Sequence, residues 1–475
     1  MNIMINSKER GVFMSHFDSI VKGGTVFTAC DSYVADIGIK DGRISAIGIN
    51  LGDDAKETVN AFDRYVIPGG IDPHTHFDMP FMGTRSSDDF ETGGIAAACG
   101  GTTTIVDFAN QWRDGMSLRE TVEEWHKKAS EKCPVDYGFH VVIAHPSDPV
   151  MREIPEMIRN GYTSFKLFMT YEGLMATDDV LLEALIKASE GGGLVAVHAE
   201  NFHIINYYTK RFIAEGKVEP QYHALSRPPI AEGEATGRAI KLARLAGAPI
   251  YMVHVSCRES VEEIDRARSE GITAMGETCP QYLLLSYENY LEPGFAGAKY
   301  VMSPPLRDKE SQPFLWKALK EDVLQVVSTD HCPFFMKQKE MGKESFVKIP
   351  NGAPGVELRM ALLYTYGVCA GKFDMNRYVQ LTSTNAAKIF GIYPKKGAIA
   401  VGSDADLVIL DPNEEKTIER SMLHENVDYT PYEGFAVKGY PEAVMLRGKI
   451  LAKGGAFVGS KGGGSFIKRN SPIFI

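Results

Sequence analysis

Residues 66–77 read VIPGGIDPHTHF, and the fold turns on this stretch. Its first part, Val66–Ile71, is a short apolar run of the kind that forms a buried strand. Its second part, Asp72-Pro73-His74-Thr75-His76, sets two histidines two residues apart. Strand side chains alternate in direction, so His74 and His76 point to the same side. Two imidazoles so placed can bind one cation through ring nitrogens. A strand that ends in potential ligands is also where barrel enzymes put their chemistry.

Seven further runs rich in Val, Ile and Thr follow: Thr102–Val106, Tyr137–Ile143, Thr163–Leu167, Leu194–Val197, Ile250–Val253, Ile272–Met275 and Val323–Ser328. Amphipathic segments lie between them. Ser117–Lys128, Asp178–Ser189 and Glu234–Ala246 each carry apolar residues at helical spacing. Eight strand–helix units predict an α/β fold, a (β/α)8 TIM-like barrel over residues 67–394. On either side the rhythm is that of hairpins. Residues 17–66 alternate apolar and polar positions around a Lys40-Asp41-Gly42 turn, and 395–457 contain KKGAIAVGSDADLVILDPN and AVMLRGKILAKGGAFV. The two flanks are expected to form one smaller β-sandwich domain built from both termini. Residues 1–16 read as a leader, with Met14 as an alternative start. The tail 458–475, glycine-rich and then basic and aromatic, is either a flexible end or an arm packed on a neighbouring subunit.

The composition narrows the function. The chain has 475 residues, 44% of them hydrophobic and 24% charged, which suits a large globular protein. Its formal net charge of −10 offers no basic excess for phosphates, so nucleic acid is not an expected partner. No apolar run approaches the roughly 20 residues of a membrane span. The seven cysteines are scattered and form no CxxC pair, so they read as reduced thiols of a cytoplasmic protein.

More potential ligands end later runs: His198 in GLVAVHAE, His254 in APIYMVHVS and Asp330 in VLQVVSTDH. Singly, each has an ordinary reading as a hydrogen-bonded core residue. Four histidines and an aspartate, all at strand ends, point jointly to a metal centre. Lys166 stands out further, because TSFKLFM is an apolar strand and a charged lysine is costly to bury there. Either it is salt-bridged or snorkels, or the neutral amine has reacted with carbon dioxide. The carbamate would be a carboxylate on a long stem, able to bridge two cations.

The order HxH, Lys, His, His, Asp along successive strands resembles the amidohydrolase superfamily. PGGIDPHTHFDMPF, FKLFMTYEG, VHAEN, MGETCPQYL, SPPLR, STDHCPF, IPNGAPGVE and GSDADLVILD look like the dihydropyrimidinase and D-hydantoinase family over about residues 17–460. The resemblance implies two divalent cations, with zinc suiting the ligands and manganese or cobalt able to replace it. His74, His76 and Asp330 would bind the more buried ion and His198 and His254 the second. N6-carboxylated Lys166 and a hydroxide would lie between them. Tyr171 would stabilise the oxyanion, and Ser303 and Asn351 would hold the amide edge of the ring. Phe81, Phe168 and Met175 would line the pocket for the ring substituent. A homotetramer is also implied.

The expected reaction is hydrolytic opening of 5-substituted hydantoins and 5,6-dihydropyrimidines to N-carbamoyl amino acids. Asp330 would take a proton from the attacking water and pass one to the leaving nitrogen. Dihydroorotases usually carry an arginine two residues past the HxH; here that position is Asp78, which argues against dihydroorotate. An allantoinase-like activity is the alternative. The collapsin response mediator proteins of the same family are non-enzymatic scaffolds that lose metal ligands, whereas this chain keeps all six. His126, His140, His145, His203, His223 and His424 read as structural or surface residues; His331, next to Asp330, is unassigned, with support of Asp330 as one reading.

Overall fold

A computed structural model describes residues 16–52 and 54–475. The leader expected at 1–16 lies outside the described residues except for its last position. Eight strands follow one another in a parallel sheet: β1 (Gly70–Thr75), β2 (Thr102–Asn110), β3 (Asp136–Val142), β4 (Ser164–Phe168), β5 (Leu194–His198), β6 (Ile250–Met252), β7 (Ala274–Thr278) and β8 (Val326–Val327). Each falls on one of the eight apolar runs. The runs are continuous because both faces of a parallel sheet are covered, one by its helices and the other by the barrel interior. The sheet closes between β8 and β1. There Thr75 and His331 form a parallel bridge, and the His76 amide donates to His331 O at 2.9 Å. Asp72 completes the seam by accepting from the Thr329 amide at 3.2 Å and its hydroxyl at 2.6 Å.

The first run divides where one strand was expected. Tyr65–Pro68 pairs in a different sheet, and the barrel strand starts only at Gly70. Gly69 makes the crossing possible, since a Cβ there would lie 2.2 Å from Thr103 Oγ1. The helices follow their apolar stripes. Leu118–Ala129 opens on a Ser117/Glu120 capping box and buries Leu118, Val122, Trp125 and Ala129. The helix expected from Glu234 begins earlier, at Pro229, because proline is tolerated in a first turn whose N–H groups have no helical partner.

The other main sheet has nine strands drawn from both ends of the chain. Tyr65–Pro68 joins them, lying parallel to Phe17–Phe27 and antiparallel to Leu407–Leu410. The expected sandwich is therefore hydrogen-bonded as one continuous sheet, and Ile37, Val66, Leu407 and Met445 share a single core within it. Asp41 (φ 51°) and Gly42 (φ 76°) make the predicted hairpin turn. This sheet docks under the barrel: buried Lys396 bonds Asp406 at 2.6 Å and Asp136, the first residue of β3, also at 2.6 Å. The tail is not a free end. It runs along its own barrel, with the Ile467 amide donating to Tyr137 O at 2.8 Å and the Asn470 amide to Gly391 O at 2.8 Å. Phe466 anchors it against His126, Phe139 and Tyr162. These attachments leave the opposite, C-terminal mouth of the barrel open. Among the described residues no helix is long and apolar enough to cross a membrane.

Candidate metal centre at the barrel mouth

Six side chains converge on one cavity of about 670 Å³ at the C-terminal ends of the strands: His74, His76, Lys166, His198, His254 and Asp330. β1, β4, β5, β6 and β8 carry or immediately precede them. His254 (φ 40°) and Asp330 (φ 54°) sit just past their strands in left-handed backbone, a conformation costly for non-glycine residues and concentrated at functional sites. Asp330 Oδ1 lies 3.0 Å from Nε2 of both His74 and His76. Donor atoms of His74, His254 and Asp330 all fall within 4.8 Å of one another. The His198 and His254 rings are 4.4 Å apart. The Phe108 ring packs 4.5 Å from that of His74.

Buried carboxylates orient the imidazoles. Glu277 on β7 binds His74 Nδ1, which turns Nε2 toward Asp330. It also accepts from Tyr251 OH at 2.9 Å and from the His254 amide at 3.3 Å. Glu200 lies 2.7 Å from His198 Nε2 and is itself held by Arg227 at 2.8 Å, so Nδ1 of His198 is left to ligate. Such outer partners fix ring orientation and basicity in metal sites. Two buried ring nitrogens, His76 Nδ1 and His254 Nδ1, have no hydrogen-bond partner. Interiors rarely leave such atoms orphaned, and a histidine–carboxylate cluster containing them fits divalent cations.

The electrostatics of three of the four histidines agree with that fit; at His74, burial is outweighed by Asp330 and Glu277, which raise the imidazole to about 9. Burial holds His76, His198 and His254 below the ordinary imidazole value, in the neutral form that ligates metal. Burial opposes charge on Asp330 too, but contacts with His74 and His76 hold it well below the usual carboxylate range. Lys166 is 1% exposed, and burial pushes its amine down to about 7 against the pull of Asp330 and Glu277. Its Nζ lies between aromatic faces, 5.2 Å from the Phe108 ring and 5.3 Å from Phe168.

The rest of the wall is mixed. Phe81 and Phe168 flank Tyr171, with ring centroids 6.0 and 5.8 Å from it. Burial raises the Tyr171 phenol to about 12, so it stays a donor. Asn351 Nδ2 donates to Ser303 Oγ at 3.0 Å across the cavity rim. Met175 does not line the cavity; Leu174 does. The loop passes through left-handed backbone at Tyr171 (φ 70°), and Met175 leaves it in a parallel bridge to Phe168. Asp78 faces away, paired with Arg85 and with Lys128 at 3.7 Å. Sequence reading missed Glu277, Glu200, Arg227 and His223. Glu277 carried the same signal as Lys166, a charge inside an apolar strand. His223, taken as structural, lines the cavity and lies 3.4 Å from Ser303 Oγ.

Comparison with known proteins gives a consistent set of likenesses. The amidohydrolase family profile matches residues 65–451. The chain is 51% identical to a D-hydantoinase of Geobacillus stearothermophilus, over 95% of its own length and 96% of the relative's. It superposes with a TM-score of 0.94 on the crystal structure of a dihydropyrimidinase from Brevibacillus agri, at 50% identity, covering 96% of this chain and 99% of that one. An L-hydantoinase (dihydropyrimidinase) from Arthrobacter aurescens is more distant: the TM-score is 0.88 at 32% identity, over 95% of this chain and 100% of that one.

Proposed function

The chain belongs to the amidohydrolase family, and on that premise we propose that it opens hydantoin and 5,6-dihydropyrimidine rings to N-carbamoyl amino acids, using two divalent cations at the barrel mouth. The observation that carries this reading is the convergence of six potential ligands from five strands on one cavity whose mixed wall includes the rings of Phe81, Phe168 and Tyr171. His74, His76 and Asp330 would hold one cation, His198 and His254 the other, and N6-carboxylated Lys166 would reach both. Zinc suits these nitrogen and oxygen donors, and manganese or cobalt would also fit. Bound there, the cations would lower the pKa of a water toward neutrality and polarise the ring carbonyl.

The chain's own residues do the rest. Ser303 and Asn351 hold the amide edge of the ring. Asp330 accepts the proton of the attacking water and returns one to the leaving nitrogen. Tyr171 donates to the carbonyl oxygen as it gains negative charge. Phe81, Phe168 and Leu174 receive the ring substituent and exclude water. No arginine stands two residues past the HxH to meet a substrate carboxylate, because Asp78 turns outward.

Metal-loaded enzyme assayed on 5,6-dihydrouracil and on a 5-aryl hydantoin tests the reading. Both rings should open, with the aryl hydantoin favoured by the rings of Phe81 and Phe168. If neither opens while two cations are bound, the substrate class is wrong. Tyr171→Phe, which removes the donor and keeps the ring, should lower kcat about 10²- to 10³-fold. An unchanged kcat would remove Tyr171 from the oxyanion role.

A further inference from the structure

Lys339 is fully buried, yet it lies in a short helix (Met336–Lys339) on the segment that leaves β8. Burial pushes its amine down to about 7, but three main-chain acceptors favour the charged form: as an ammonium it donates to Val301 O at 2.9 Å, Pro350 O at 2.6 Å and Gly352 O at 2.7 Å. An ammonium has three N–H donors, and all three are used. The carbonyls belong to two loops. Pro350 and Gly352 are the neighbours of Asn351, and Val301 lies two residues before Ser303. Further bonds tie these loops together, from the Gly352 amide to Val301 O at 2.9 Å and from Asn351 Nδ2 to Ser303 Oγ at 3.0 Å. Ser303, Asn351 and Gly352 line the cavity, whereas Lys339 stands behind the wall.

Keeping a cation in a dry interior is costly. Methionine would fill much the same space without that cost, but it would leave three converging carbonyls without donors. The segment is braced at its far side as well. Gln338 Nε2 donates to Thr84 Oγ1 at 2.7 Å and Arg85 O at 2.8 Å, on the hairpin that carries Phe81. The same stretch of chain thus begins at Asp330 and ends by fastening both amide-edge loops.

We infer that Lys339 is a positioning residue for substrate binding: it fixes the main chain around Ser303 and Asn351 and touches no reacting atom. This rests on the functional reading above, in which those two residues hold the amide edge of the ring. Its effect should appear in substrate affinity and leave the metal ligands undisturbed.

The test compares Lys339→Met and Lys339→Gln with the parent enzyme, all metal-loaded. The readouts are metal content, melting temperature, and kcat and KM for 5,6-dihydrouracil and the aryl hydantoin. Val444→Ala, at a buried strand position of the nine-stranded sheet, serves as a destabilised control. In Lys339→Met, kcat/KM should fall about 10- to 100-fold, carried mainly by KM, with metal content unchanged. Gln, with two donors in place of three, should fall between Met and the parent. The control should melt earlier and keep the parent KM. A parent-like KM in Lys339→Met would overturn the inference, as would an equal KM shift in the control or failure of both Lys339 variants to fold. A parent enzyme that opens neither ring would remove the functional reading and this inference with it, a failure visible before any variant is made.

Discussion

Lys166→Ala is expected to yield a folded protein that purifies without its metal pair and opens no ring. The amine it removes is buried on β4, 1% exposed, between the rings of Phe108 and Phe168. As an ammonium it is poorly placed, so deleting it should not weaken the metal-free fold. The melting temperature of metal-free protein should therefore stay level or rise, while the stabilisation contributed by bound metal disappears. Activity should fall by more than the 10- to 100-fold typical of losing an outer partner of a metal ligand. Formate, acetate or propionate should restore part of the metal content and turnover, because each returns a carboxylate to the space the side chain vacated. Full activity in Lys166→Ala would refute the bridging role. Metal retention with lost activity would move Lys166 from ligand to some other part of the site.

The candidate ligands were legible because each interrupts a simple pattern. His74, His76, His198, His254 and Asp330 end short apolar runs, and Lys166 is a charge inside one. What faces the other way along a strand was harder to see. Glu277 carries the same contrast as Lys166, but it stands beside Thr278 and Cys279, where polarity does not mark it out. The loops at Ser303 and Asn351 have no periodicity, and only the family resemblance pointed to them. Lys339 joins partners 38, 11 and 13 residues away, through backbone atoms common to every residue type. No local pattern encodes such a knot. The first apolar run failed as a single strand for a related reason. Hydrophobicity cannot separate two consecutive buried strands, and the division at Gly69 depends on a steric contact with Thr103. Met175 lies off the cavity and Leu174 on it because the loop through Tyr171 is irregular, with left-handed backbone and no periodicity to mark its inward side chain.

Asp330→Asn should separate ligation from proton transfer. Asn has nearly the same shape, and its carbonyl oxygen can still face His74 and His76, but it cannot take up a proton at neutral pH. If Asp330 shuttles the proton, kcat should fall about 10²- to 10⁴-fold while KM moves little. Metal content is the deciding control. Asp330 Oδ1 stands 3.0 Å from two imidazoles, so losing its charge also weakens the site that would hold the more buried cation. The assay is therefore run across a range of added metal. Low turnover that persists at full metal occupancy assigns the loss to proton transfer. Turnover that returns to the parent level once metal is in excess would reduce Asp330 to a ligand, and the proton would then need another carrier. The pH profile gives an independent reading. In the parent, the acidic limb of kcat/KM should report the free enzyme's base, and in Asp330→Asn that limb should flatten or move. An acidic limb of unchanged position in the variant would show that another group sets it, whatever the size of the loss in kcat.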